Sequence, residues 1–274
     1  MRTVLITGAS SGIGRALALH YAAMGDKVIL VARDVEKLNE VAAEILACPP
    51  HSNPLPEGEK KFTVQIIMAD LNDPASPQKI YDAISEPLDI LINNAGLGCW
   101  GNFSSQDVNK LSSLIQVNIS ALMHLTHFFL PSMLARKQGK IVNIGSVYSY
   151  MPVPIQTVYA ATKAFVLSFS LGLRDELKHS GLTVTAVCPG MTASAFRQRS
   201  GVQETGGRSQ FFMMTAETVA EQIYSAVEAR KAVFIPGWKN KLFIALVRYM
   251  PQRFLSAFVH WAVYTLRRVK PSTD

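Results

Sequence analysis

Thr3-Val4-Leu5-Ile6-Thr7-Gly8-Ala9-Ser10-Ser11-Gly12-Ile13-Gly14 decides how the chain folds. Thr3–Thr7 is a continuous apolar run of strand length, and such runs belong to strands buried on both faces. Glycine-rich sequence follows at once, and Gly12–Met24 then carries Ile13, Leu17, Leu19 and Tyr21 at helical spacing. A strand that turns through glycines into a helix brings backbone N–H groups and the positive helix end to one point. That is where a pyrophosphate is held. The spacing is G-x-x-x-G-x-G, and its place after the first strand supports a dinucleotide cradle built from Thr7, Gly8, Ser10, Ser11, Gly12, Ile13 and Gly14.

Outward from this unit the same alternation continues. Strands are expected at Val28–Ala32, Phe62–Met68, Leu88–Ile92, Lys140–Ile144, Thr183–Val187 and Ala232–Ile235. Helices are expected at Val35–Ala47, near Ala75–Ser85, from about Asp107 to Arg136, at Val158–Ser180 and at Thr218–Ala229. Uninterrupted Val/Ile/Leu strands alternating with helices give an α/β fold, a doubly wound parallel sheet. Cys48–Lys60, with four prolines, reads as a surface loop. Met191–Thr215 is long for a connection, which marks it as functional or disordered.

Composition bounds the function. The 274 residues are 49% hydrophobic and 17% charged, with mean hydropathy +0.17, which excludes a disordered chain. Residues 1–228 hold 18 Lys/Arg against 19 Asp/Glu, whereas residues 229–274 hold nine against Asp274 alone. The formal charge of +7 therefore sits wholly in the tail, unlike a nucleic-acid-binding protein that is basic throughout, and no nucleic-acid partner is expected. Three scattered cysteines (Cys48, Cys99, Cys188) argue against a disulfide framework or zinc site and fit a cytoplasmic setting. The first residues lack the long apolar core of a signal peptide. The six histidines form no ligand pattern, so no metal is expected.

Further site candidates fall after the later strands. Ala32-Arg33 stands where NAD-preferring sites place a carboxylate against the ribose, and a guanidinium there suits a 2′-phosphate, hence NADP(H). The alternative is that Arg33 only ends a strand and Asp34 starts a helix. Asp70, followed by Leu71, is placed to accept from the adenine amino group. Asn93-Asn94-Ala95-Gly96 offers small residues for close backbone approach, or an ordinary turn. Tyr159 and Lys163 are four apart, on one helix face. A phenol near pKa 10 is a poor proton shuttle, and a neighbouring ammonium would bring it down. Ser146 ends the fifth strand, 13 residues before Tyr159.

Taken together, T-G-x-x-x-G-x-G (Thr7–Gly14), N-N-A-G (Asn93–Gly96), Asn118, Ser146, Tyr159-x-x-x-Lys163 and Pro189-Gly190 make the chain resemble the short-chain dehydrogenase/reductase family over residues 3 to about 236. The resemblance implies a Rossmann-type seven-stranded parallel sheet and a nicotinamide cofactor, with the core domain at 1–236 and a helical C-terminal extension of it at 237–274. It implies that Tyr159 passes the proton and that Lys163 binds the nicotinamide ribose and tunes Tyr159. Ser146 would polarise the carbonyl, Asn118 would hold a water leading to Lys163, and Thr192 would contact the carboxamide. Val28–Leu38 (VILVARDVEKL) is also similar to a branch that includes uncharacterised bacterial oxidoreductases and enzymes acting on 3-ketosphinganine, acyl and steroid ketones.

The expected reaction is NADPH-dependent reduction of a hydrophobic ketone. The alternatives are an NAD-dependent alcohol dehydrogenase running oxidatively and a non-catalytic dinucleotide sensor. Tyr148, Met151, Met191 and Phe196 join Ser146 as substrate-wall candidates, with Leu97, Cys99, Trp100, Val147, Pro152, Val153, Ile155, Phe211 and Phe212 around them. Arg197, Arg199 and Arg208 lie in the same long loop and would suit an anionic head group or CoA. The tail, residues 237–270, reads as two short helices broken at Pro251, aromatic-rich with basic stripes. It suits peripheral contact with an anionic membrane, an oligomer or core contact, or a lid. The resemblance also implies a homodimer or homotetramer.

Overall fold

The computed structural model describes residues 1–47, 64–192, 213–261 and 263. Seven parallel strands lie in the order β3-β2-β1-β4-β5-β6-β7. They are β1 (Thr3–Thr7), β2 (Lys27–Ala32), β3 (Val64–Met68), β4 (Ile90–Asn93), β5 (Lys140–Ile144), β6 (Thr183–Val187) and β7 (Val233–Phe234). All five residues of β1, like all five of β6, are buried, as expected for strands covered on both faces. Phe62, expected to begin the third strand, lies outside the described residues.

Helices α1 (Gly12–Ala23), α2 (Val35–Ala47), α3 (Ser76–Asp82), α4 (Val108–Ile115), α5 (Leu122–Arg136), α6 (Thr157–Glu176) and α7 (Ala216–Glu228) connect the strands. One apolar layer unites α1, α2 and α7 with one sheet face through Leu17, Tyr21, Leu38 and Ile223. A second joins α3, α5 and α6 to the other face through Ile80, Leu125, Phe129 and Leu173. Because β1 has β2 on one side and β4 on the other, the winding direction reverses at its C-terminal end, which opens a crevice there.

The single helix expected over about 107–136 is instead two α-segments joined by a π-turn at Gln116–Ala121. The π-turn carries Asn118, whose side chain is bonded outside its own helix, to Leu97 and Thr162. Such one-residue expansions occur frequently at functional sites.

The tail forms α8 (Trp238–Tyr249) and α9 (Gln252–Trp261), divided at Met250-Pro251 as the sequence implies. Their inner faces make a third core. Ile244, Val247, Leu255 and Val259 pack on Met151, Val153, Ile155 and Ala160. The extension thus backs the segment between β5 and α6. Asn240 of α8 is buried and donates to Pro236 O at 2.8 Å. It also lies so close to Gly190 that a Cβ there would fall 2.5 Å from its side chain.

Candidate active site

A cleft of about 400 Å³ runs along the C-terminal strand ends. One end is the glycine turn. Gly8 and Gly12 have φ of +67° and +57°, conformations costly for other residues. Gly14 closes over the turn, and a Cβ on it would come 2.3 Å from Gly8 O and 2.4 Å from Asn94 Nδ2. With no acid in its first turn, α1 presents its N-terminus to the cleft through Ser10, Ser11, Gly12 and Ile13. This cradle admits backbone-close contact and favours an anion, so the residues fit a dinucleotide pyrophosphate.

Thr7 is buried beneath the cradle rather than on the cleft wall. Its Oγ1 accepts from Asn94 N and Ala95 N, both at 3.0 Å. The Asn94 amide donates in return to Thr7 O at 2.9 Å and Gly8 O at 3.3 Å. N-N-A-G is therefore more than an ordinary turn, since it ties the ends of β1 and β4 together.

At the end of β2, Asp34 turns away from the cleft. It accepts from Lys37 N at 3.1 Å and Lys37 Nζ at 2.7 Å, starting α2, and these bonds hold its carboxyl below the usual range. Arg33 is exposed and lines the cleft with Asp70 and Leu71. Asp34 thus serves the helix, while Arg33 borders the cleft. Asp70 accepts from Asn72 N at 3.0 Å.

At the other end, Ser146, Tyr159 and Lys163 converge and are all buried. Ser146 caps the short 3-10 turn Val147–Tyr150, its Oγ accepting from Tyr148 N at 3.2 Å. Val147 N donates to Pro189 O at 2.9 Å, joining this turn to the loop of Pro189, Gly190 and Thr192 that forms the facing wall. Lys163 Nζ donates to Ile144 O at 2.8 Å and lies 5.7 Å from the Tyr159 ring centre.

Burial acts oppositely on the two groups. It pushes the Tyr159 phenol above its usual range, with the hydrogen bond to Ser146 opposing, and draws the Lys163 ammonium down to about 8. Desolvation is the largest influence on the phenol in this geometry. The phenol is held in its protonated form.

Asn118 is buried beside this pair but off the cleft wall. Its Oδ1 accepts from Leu97 N at 2.8 Å and its Nδ2 donates to Leu97 O at 3.0 Å and Thr162 Oγ1 at 3.1 Å. A Cβ on Gly96 would lie 3.4 Å from Asn118 Oδ1 and 3.5 Å from Lys163 Nζ, so both polar groups border the space that glycine leaves.

Of the substrate-wall candidates, Leu97, Val147, Tyr148 and Met191 line the cleft. Met151 does not. It packs with Val153 and Ile155 against the tail helices, because Met151 and its neighbours supply the base of the third core. Phe196, Phe211, Phe212 and the three loop arginines lie outside the described residues.

Two residues escaped the sequence reading. Ser149 Oγ accepts from Ser146 N at 3.2 Å and donates to Lys163 O at 2.7 Å, clamping the serine turn to α6. The Ser-x-x-Ser spacing of 146 and 149 was the available signal. Gln156 lines the cleft at the start of α6, three residues before Tyr159.

The lowered Lys163 pKa makes stability depend on pH. The unfolded chain keeps this proton to about pH 10.4, whereas the folded chain releases it near 8. Between those values the unfolded state binds more protons, so stability rises with pH. Denaturant unfolding without added nucleotide should show wild type gaining on Lys163→Met between pH 7.5 and 10.5. Parallel pH profiles would contradict the burial argument.

Comparison with known proteins gives the same assignment. Residues 2–205 match the family model for short chain dehydrogenases. Sulfoacetaldehyde reductase 2 of Chromohalobacter salexigens is 36% identical over 231 residues, 81% of this chain and 86% of that protein. Among solved structures, the short-chain dehydrogenase of Sphingobium yanoikuyae in complex with NADPH superposes with TM-score 0.77 and 32% identity over 100% of this chain and 99% of that one. The bulky-bulky ketone specific alcohol dehydrogenase of Comamonas testosteroni gives 0.73 and 28% over 99% and 97%. With its seven-stranded Rossmann-type sheet, its glycine cradle and its Ser146, Tyr159 and Lys163, the chain belongs to the short-chain dehydrogenase/reductase family of nicotinamide-dependent oxidoreductases.

Proposed function

We propose that the chain is a reductase that converts a hydrophobic ketone to a secondary alcohol with NADP(H). The observation that carries this reading is the buried Tyr159 phenol, held protonated and hydrogen-bonded to Ser146 at the end of a cleft whose other end is an anion cradle. The NADPH-bound neighbour and the ketone-specific neighbour support it, as does Arg33 on the cleft wall where a 2′-phosphate would need a cation.

The chemistry that a dinucleotide would supply when bound in the cleft is hydride transfer to a carbonyl carbon. Gly8, Ser10, Ser11, Gly12, Ile13 and Gly14 would hold its pyrophosphate, Asp70 and Leu71 its adenine, and Asn94, Ala95, Gly96, Pro189, Gly190 and Thr192 the nicotinamide half. The Ser146 and Tyr159 hydroxyls direct two donors at the carbonyl oxygen and stabilise charge as it develops. Tyr159 gives its proton to that oxygen, leaving a phenolate beside Lys163. Lys163, with its ammonium drawn down to about 8, can pass its proton to the phenolate, and Asn118 and the space at Gly96 would supply its path from solvent. The walls near Tyr159, with Leu97, Val147 and Met191, are apolar and suit a ketone with a hydrophobic substituent.

The outer faces of α8 and α9 support a peripheral location. Trp238, Leu242, Leu246 and Tyr249 run along α8, and Phe254, Phe258 and Trp261 along α9, all exposed. Exposed Lys241, Arg248 and Arg253 are interspersed, and no acid occurs between Glu228 and Asp274. A face carrying only cations repels a second copy of itself and is drawn to anionic lipid. Helices of 12 and 10 residues are too short to span a bilayer, so they would lie in its surface. Homo-oligomers would form elsewhere, on the long helices.

Steady-state assays should show a higher kcat/KM with NADPH than NADH, and Tyr159→Phe should lose about 10²-fold or more in kcat. A ratio below one, or a Phe variant near wild-type turnover, would refute the mechanism. In flotation, the protein should rise with vesicles containing anionic lipid and stay down with zwitterionic ones, and Trp238→Glu with Tyr249→Glu should abolish floating. Protein that stays in solution as a dimer, and dissociates on the same substitutions, would assign the face to a second copy instead.

A further inference from the structure

Gly190 lines the cleft between Pro189 and Met191, but not because its backbone demands a glycine. Its φ is not positive, unlike those of Gly8 and Gly12. What excludes a side chain there is Asn240, in the first turn of α8. A Cβ at 190 would fall 2.5 Å from both Nδ2 and Oδ1 of Asn240 and 2.7 Å from its Cγ. The whole head of the carboxamide therefore fills the space that a side chain at 190 would need. Asn240 is itself 6% exposed and forms no part of the cleft wall.

Both partners in this contact are anchored. Asn240 Nδ2 donates to Pro236 O at 2.8 Å, and Gly237 N donates to Gln222 Oε1 of α7 at 3.1 Å. Further along α8, Ile244 and Val247 are fixed in the third core. On the cleft side, Pro189 O accepts from Val147 N at 2.9 Å and Met191 O accepts from Met214 N at 3.1 Å. Hydrogen bonds thus hold the loop on either side of Gly190, and at Gly190 itself the Asn240 head backs the wall. Protein interiors are close-packed, so removing that head leaves a void into which the wall can relax.

This stretch of wall belongs to one half of the cleft. The glycine cradle suits a pyrophosphate, and Arg33 and Asp70 mark the adenosine side of it. Pro189, Gly190 and Thr192 lie on the side of Ser146 and Tyr159, where the reacting ring belongs.

We propose that Asn240 is a positioning residue that holds the Gly190 wall against the nicotinamide half of NADP(H). The C-terminal extension thereby sets the fit of the reacting ring from outside the cleft. This rests on the assignment of the nicotinamide half to that wall and extends it to a residue behind the wall.

The test compares NADPH with 2′,5′-ADP, which carries the phosphorylated adenosine half alone, by calorimetric titration of the full-length protein. Asn240→Ala should bind NADPH about fivefold or more weakly than wild type and 2′,5′-ADP equally well. A merely structural loss would weaken both. Gly190→Ala approaches the same contact from the cleft side, so it should likewise weaken NADPH by about fivefold or more and spare 2′,5′-ADP. In the Asn240→Ala background, where the new methyl finds room, Gly190→Ala should cost at most about twofold, a non-additivity expected of residues in contact. NADPH affinity unchanged in Asn240→Ala, both ligands weakened together, or additive effects of the two substitutions would overturn the proposal. Wild type that binds NADPH no more tightly than 2′,5′-ADP would overturn the assignment of the nicotinamide half to this wall instead.

Discussion

The site depends on the seam between β1 and β4. Where two parallel strands end side by side at a switch of winding direction, their last carbonyls and amides would splay apart unless something bonds across them. Thr7 and Asn94 do this reciprocally, with one hydroxyl taking two amides and one carboxamide returning to two carbonyls. The seam fixes Gly8 at positive φ, and Gly14 fits over it only because it has no Cβ. The anion cradle and the Ala95–Gly96 wall are thus one structure, joined through the Thr7 and Asn94 side chains.

The catalytic end is held by a second polar clamp. Ser149 joins the backbone of Ser146 to that of Lys163, so the two halves of the proton-donating set cannot drift independently. Around the clamp the environment is dry, which raises the phenol and lowers the amine. Burial and hydrogen bonding oppose each other at Tyr159, and burial prevails. The tail helices take part in this dryness, because their inner face packs on the same segment that carries Gln156.

Much of this was legible in the sequence, for identifiable reasons. Strands buried on both faces need unbroken apolar runs, so β1, β2, β5 and β6 fall within a residue of their expected bounds. The glycine turn, Tyr159 and Lys163 announce themselves by spacing, because their roles follow from local geometry. What stayed hidden depends on tertiary partners. The π-turn at Gln116–Ala121 looks like ordinary helix, since the bonds of Asn118 go to Leu97 and Thr162 far along the chain. Met151 reads as a substrate contact by position, but the tail claims it for a core. Ile244 and Leu246 are alike in composition, yet one is buried and the other exposed, and only packing separates them.

The central claim is that this cleft carries out reduction of a carbonyl by hydride, with the protein supplying the proton. Isotope tracing tests it most directly. The purified protein is incubated with a hydrophobic ketone and NADPH dideuterated at nicotinamide C4, and the alcohol is examined by mass spectrometry and NMR. The account predicts one deuterium, bound to the carbinol carbon. An alcohol carrying only protium at that carbon, or oxidation of the nucleotide with no alcohol formed, would contradict it.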